Sequence, residues 1–187
     1  NADSLSHKTP VYVQMSEQDS NPLEGVTQIS AGGKTTCARL LDKTVKCWGA
    51  NDLGQIGVGS MNRTEYVAPV HVRAARSGKA VLSNAQKVSV GHSHTCSLLV
   101  GGKVKCWGDN HETALRSNVY DSSFKTVPNP VFVSQSKSDF TPLSNVIEIS
   151  AGKEHTCGVL SDKRLKCWGH QWTGQLGHGS KSKGSYP

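Results

Sequence analysis

The chain has 187 residues, one or two domains' worth, with 35% hydrophobic and 6% aromatic residues and a mean hydropathy of −0.43. No window approaches the roughly 18 to 20 consecutive apolar residues that a membrane-spanning helix needs, which excludes a helical membrane protein. The formal charge of +7 comes from 21 Lys and Arg against 14 Asp and Glu, spread singly with no run of like charge, and this argues against a dedicated nucleic-acid patch. The 19 Gly and 7 Pro, set among short stretches of Ser, Thr and Asn, favour short strands joined by turns, so an all-β fold is expected. No secretory leader is visible and residue 1 is Asn, as in a processed chain or an excised fragment.

In chain order the first strand-sized pieces fall near residues 10 to 14, 26 to 31, 35 to 41 and 44 to 48. The set then recurs. TQISAGGKTTCARLLDKTVKCWGANDLGQIGVGS is followed by KVSVGHSHTCSLLVGGKVKCWGDNHETALRSN and by EISAGKEHTCGVLSDKRLKCWGHQWTGQLGHGS. Counted from Cys37 to Cys96 to Cys157, the spacing is 59 and then 61 residues. A Pro-led apolar segment precedes each run: TPVYV from Thr9, APVHV from Ala68 and NPVFV from Asn129. The third and fourth pieces of each repeat flank Asp42-Lys43, Gly101-Gly102 or Asp162-Lys163, turn formers that predict a tight antiparallel hairpin. A lone four-stranded unit leaves a face uncovered, so the repeats must stack on one another. The expectation is one repeat domain over residues 1–187, with repeats near 9–67, 68–128 and 129–187.

The motifs I-S-A-G-x-x-H-T-C-x-x-L, K-C-W-G and G-Q-L-G-x-G resemble the regulator of chromosome condensation repeat, in its bacterial, cysteine-containing form. The resemblance implies β-propeller blades of four antiparallel strands, with the I-S-A-G strand nearest the axis and the P-V-x-V strand at the rim. The second repeat departs from the pattern, carrying Thr113, Ala114 and Arg116 where its neighbours have Gly54, Gln55, Gly57 and Gly174, Gln175, Gly177. Its loop is expected to take another path. Three blades do not close a ring, since propellers typically have four to eight. The third repeat also lacks a following rim strand. The chain is therefore read as an incomplete ring, either part of a longer chain or half of a six-bladed homodimer.

The six cysteines stand ten apart in pairs, Cys37 with Cys47, Cys96 with Cys106 and Cys157 with Cys167. Each pair is centred on its hairpin turn, which sets the sulfurs opposite one another on one sheet face, within disulfide range. Two alternatives stand beside the disulfides. One is reduced, buried cysteine; the other is zinc with His94 and His155, for which the close Cys-x-x-Cys spacing is absent and Thr35 replaces the first histidine. Disulfides would place the chain outside the cell, at its surface or in the periplasm.

Trp48, Trp107 and Trp168 recur after each second cysteine and read as packing between blades. His94 and His155 read as structural, hydrogen-bonded histidines. Trp172 has no counterpart, Asp52 and His111 standing in its place; it reads either as a loop residue folding back on its own blade or as the first candidate for a binding anchor. No G-x-S-x-G, P-loop or H-E-x-x-H motif is present, and no cofactor or enzymatic activity is expected. Asn62-Arg63-Thr64 is a glycosylation sequon only if the chain passes through a eukaryotic secretory route.

Function is expected in the loops where the repeats diverge, residues 14–24, 60–66, 73–84, 109–127 and 134–144. The candidate contact residues are Trp172, Tyr66, Arg63, His111, Tyr120, Phe124 and Phe140. The resemblance implies a protein partner: a small GTPase, a β-lactamase, or a surface or host molecule. A glycan-binding propeller is the alternative from another class, and it requires aromatics at equivalent loop positions, which Asp52, His111 and Trp172 do not supply.

Overall fold

The computed structural model describes residues 9–75, 78–111, 115, 125–136 and 138–179. Eleven strands form three antiparallel sheets, and no α-helix occurs among the described residues. The first sheet runs β1 (Val26–Gly32), β2 (Thr35–Leu40), β3 (Val45–Ala50), β4 (Glu65–His71), in that spatial order. The second repeats it with β5 (Ala85–Val90), β6 (His94–Leu99), β7 (Val104–Asp109) and β8 (Thr126–Phe132). The third has three strands, β9 (Val146–Ala151), β10 (His155–Leu160) and β11 (Leu165–Gly169). These are propeller blades in an open array.

Each hairpin turn is set by its own residues. Asp42 Oδ1 accepts the Thr44 amide at 2.9 Å while Lys43 takes a left-handed φ of 63°, and Asp162 holds Arg164 in the same way at 3.0 Å. Gly101 and Gly102 supply positive φ in the second blade.

One expected strand is absent. Residues 10–14 make only a single bridge, Gln14 to Pro22, and leave Val11 and Tyr12 exposed. The equivalent segments became β4 and β8 by pairing with the cysteine-tryptophan strand ahead of them in sequence. Among the described residues, 10–14 pair with no such strand.

Cys37, Cys96 and Cys157 face Cys47, Cys106 and Cys167 directly across β2/β3, β6/β7 and β10/β11, with Cα atoms 4.1 Å apart, and all three pairs are disulfides. Strand alternation turns the neighbouring tryptophan to the other face. Each blade therefore presents its disulfide to the next blade and its tryptophan to the previous one. The Cys37–Cys47 bridge packs with Val88, Val90 and Trp107, and the Cys96–Cys106 bridge with Val146, Ile149 and Trp168. Trp107 is fully buried and donates Nε1–H to the Gln55 carbonyl at 2.9 Å.

The innermost strands approach closely. Gln28 exchanges two hydrogen bonds with the Val88 backbone, Ser30 Oγ accepts the Val90 amide, and Ser89 Oγ accepts the Ala151 amide. Lys87 and Glu148 form an ion pair across the second contact. A Cβ on Gly91 would lie 2.4 Å from the Gly152 carbonyl oxygen and 2.6 Å from the His94 ring, so only glycine admits this approach. At the rim Lys46, Lys105 and Lys166 reach the carbonyls of Met15, Ala74 and Gln135, the loop that follows each P-V-x-V segment.

His94 is buried between the second and third blades, with Nε2 2.8 Å from Thr156 Oγ1. Burial, aided by the nearby His155, lowers its pKa to about 4. An unfolded histidine titrates near 6.5, so the unfolded chain binds more protons between pH 6.5 and 4. The contribution of neutral His94 is complete above pH 6.5 and is lost as pH falls toward 4, a change on the order of 3 kcal/mol.

Two outcomes follow. Thiol titration of denatured, unreduced protein finds no free sulfhydryl, and reduction lowers the unfolding temperature, each short bridge contributing about 2 to 3 kcal/mol; six titratable thiols would contradict the pairing. Urea unfolding from pH 7 to pH 4 shows stability falling with pH, and His94→Gln flattens that fall. An equal slope in the variant assigns the loss to other groups.

Candidate binding face

In an antiparallel blade the turn from first to second strand and the loop from third to fourth emerge at one end. Backbone bonds tie them together: the amides of Ala50, Asp109 and His170 donate to the carbonyls of Lys34, Ser93 and Glu154. Arg63 and Tyr66 on the first blade, His111 on the second and Trp172 on the third all lie at this end. The loops at 73–84 and 134–144, with the exposed Phe140, lie at the opposite end. The divergent loops therefore split between two surfaces. Tyr120, Phe124, Thr113, Ala114 and Arg116 lie outside the described residues.

On the first two blades the loop at the candidate end hangs on a buried asparagine that the sequence reading passed over. Asn51 Oδ1 accepts the Ile56 amide at 3.2 Å, and its Nδ2 donates to the Ser60 and Arg63 carbonyls. Asn110 takes the same part in the second blade, accepting the Leu115 amide at 3.2 Å. The available signal was the alignment of Asn51, Asn110 and Gln171 four residues after the second cysteine of each repeat.

Arg63 and Tyr66 act together. The Arg63 guanidinium lies 4.8 Å from the centre of the Tyr66 ring and pairs with both Glu17 carboxylate oxygens, at 2.7 and 3.2 Å. Glu17 raises the Arg63 pKa further. His111 is exposed and anchored through its amide to Asp109 Oδ1 at 2.9 Å, with its ring Nδ1 3.7 Å from the same oxygen.

Trp172 is 59% exposed, and its ring lies 4.6 Å from that of His170 at a tilt of 51°. His170 Nδ1 is 3.3 Å from Glu154 and 3.0 Å from Gln175 Nε2, while Gln175 Oε1 accepts from the Thr173 amide and hydroxyl. The indole is thus mostly exposed on a braced loop and rests against His170 of its own blade. His155, nearby, has its pKa lowered by burial and then by His170.

The arrangement supplies an Arg63–Glu17 ion pair beside the Tyr66 ring, an imidazole and an indole on successive blades, which suits recognition of a surface. All six cysteine sulfurs are oxidised, so none is a thiolate ligand for zinc. Among the described residues no three of His, Cys, Asp and Glu converge on a metal position.

Models described as the regulator of chromosome condensation repeat match residues 26–55, 85–112 and 146–171, and a second of that description matches 44–98. Protein pim1 of Schizosaccharomyces pombe is 25% identical over 167 residues, covering 86% of this chain and 30% of that protein. The mouse X-linked retinitis pigmentosa GTPase regulator is 27% identical over 85% of this chain and 14% of its own length. Yeast Prp20, solved bound to Kap60, superposes with a TM-score of 0.69 at 22% identity, over 89% of this chain and 37% of that one. Human WBSCR16 gives 0.68 at 20% identity, over 90% and 42%. The chain thus spans less than half the length of these relatives. Repeated blade architecture, a disulfide and tryptophan on opposite faces, and these matches together show that the chain belongs to the regulator of chromosome condensation repeat family.

Proposed function

We propose that this chain is a non-enzymatic binding module that recognises a protein partner through the face bearing Arg63, Tyr66, His111 and Trp172. The observation that carries the reading is the placement of these residues at one end of three stacked blades, on loops braced by Asn51, by Asn110 and by the Gln175 contacts with Thr173 and His170. Sites presented on a rigid scaffold lose little entropy on binding. Support by analogy comes from Prp20, solved with Kap60 and in a second structure titled for its binding to Gsp1p and histones. Relatives named as enzymes, the ubiquitin ligase HERC4 and the kinase Nek9, match over only 13% and 17% of their length. Most of each lies outside the matched segment.

The three disulfides support an oxidising setting: extracellular, at the cell surface or in the periplasm. In this reading residues 1–187 act as one repeat domain whose open array is completed by further chain or by a second copy. No aromatic at the positions of Trp172 in the other blades favours a glycan.

The test uses the partner captured from the native source. Trp172→Ala weakens binding by about 2 kcal/mol, roughly thirtyfold, while the unfolding temperature holds, because the side chain is exposed. Trp107→Ala, fully buried, instead costs about 3 to 5 kcal/mol of stability. A Trp172→Ala variant that unfolds early and binds normally would move the recognition surface elsewhere.

A further inference from the structure

The loop that carries Trp172 is held by a brace that the first blade also has, with one part exchanged. In the first blade Gln55 Oε1 accepts the Leu53 amide at 2.9 Å, and Gln55 Nε2 donates to Asp52 Oδ1 at 3.1 Å. The Gln55 side chain keeps both bonds while its carbonyl accepts from Trp107 and Thr95 of the next blade, so packing by a neighbour and the brace do not compete. In the third blade Gln175 Oε1 accepts the Thr173 amide at 3.0 Å and the Thr173 hydroxyl at 2.8 Å. That half is unchanged. The other half has moved: Trp172 stands in the place of Asp52, and Gln175 Nε2 meets His170 Nδ1 at 3.0 Å.

The two acceptors differ in kind. A carboxyl group keeps an acceptor oxygen whether or not it is protonated, whereas a ring nitrogen accepts only while it carries no proton. Gln175 Oε1 is committed to Thr173, so Nε2 is the atom that faces the ring, and Nδ1 of the neutral imidazole accepts from it. Glu154 Oε2 lies 3.3 Å from the same Nδ1. A proton on Nδ1 makes it a donor to Glu154 and leaves the Gln175 amide facing another N–H. One atom thus has two alternative partners, and a single proton selects between them. The same ring rests 4.6 Å from that of Trp172, so the selection reaches the indole. Asp52 and His111, at the position of Trp172, are exposed with the following blade in place, which makes exposure a property of this position in all three blades.

The charged and titratable groups around the ring are Glu154 and Lys153 on the β9–β10 turn, paired at 3.5 Å, and His155 at the start of β10. Glu154 supplies the acceptor for an imidazolium, and Lys153 sits on its other oxygen. Burial and then His170 lower the pKa of His155, so a positive charge on one ring holds the other neutral.

We propose that His170 is the positioning residue of Trp172 and makes this part of the binding face sensitive to pH: the neutral ring holds Gln175 and sets the indole, and the protonated ring turns to Glu154 and releases the loop. The consequence for binding, a partner held near neutral pH and released in acid, rests on the reading of Trp172 as a contact. The brace itself is a property of the free protein.

The experiment is a nitrogen-edited NMR titration of the intact protein without partner from pH 8 to pH 5, the span in which histidine ordinarily changes charge. The signals of the Gln175 side-chain amide, the Trp172 indole N–H and the His170 ring move together with one midpoint. The Gln55 side-chain amide, whose acceptor is a carboxyl oxygen, holds its position and reports any general loosening. His170→Asn keeps an acceptor oxygen that gains no proton, and it abolishes the movement of Gln175 and Trp172. A Gln175 amide or Trp172 indole that ignores the protonation of His170, a shift of equal size at Gln55, or a pH response that survives in His170→Asn would each overturn the proposal. The loss of affinity in Trp172→Ala at constant pH tests the binding face by itself, so either idea can fail alone.

Discussion

A blade of this kind carries apolar groups on both faces, and each junction with a neighbour buries one of them. The chemistry behind that constraint is the Cys-Trp dipeptide at the centre of β3, β7 and β11. Adjacent strand residues point to opposite faces, so one dipeptide equips a blade with a flat disulfide on one side and an indole on the other. Stacking then places sulfur-rich surface against tryptophan at each junction, and burying one such indole removes a large apolar area from water. The bridge also pins the two central strands in register, so the face that meets the next blade is already flat before packing.

Polar groups at the junctions are disposed to suit the same constraint. Backbone groups left over at the inner strands are satisfied by Gln28, Ser30 and Ser89 across the junction, which gives each contact a fixed register as well as area. His94 shows the cost of this arrangement. An imidazole held neutral by burial makes the second junction sensitive to acid in a range where the carboxylates of Asp42, Asp139 and Asp162, whose pKa values are lowered by hydrogen bonds, remain ionised.

Much of this was legible in the sequence because it is local or repeated. The hairpins followed from Asp42-Lys43 and Gly101-Gly102, the disulfides from a constant spacing about those turns, and the stacking from three copies of one unit. What was not legible depends on neighbours distant in sequence. TPVYV has the composition of a strand, but a strand also needs a ladder, and residues 10–14 lack one. His94 and His155 read alike in sequence, yet one is sealed by a following blade and the other is half open. Arg63 read as a contact residue, and its pairing with Glu17, 46 residues away, had no local signal.

The candidate face illustrates how topology groups divergent loops. Of the five variable stretches, strand parity divides the four that follow β3, β4, β7 and β8, since a loop that joins the third strand to the fourth must leave at the end where the first strand turned; the fifth, 14–24, brings Glu17 to Arg63. Residues as far apart as Arg63 and Trp172 are thereby brought to one surface without contact between them. The buried asparagines explain why such loops hold a shape. A side chain that accepts one amide and donates to two carbonyls replaces the ladder that the loop has left, so the loop exits the sheet with its backbone satisfied and its tip free to vary. Variation at Tyr66, His111 or Trp172 then changes the surface and leaves the Asn51 and Asn110 scaffolding intact, which is the condition for a repeat protein to change partners without refolding.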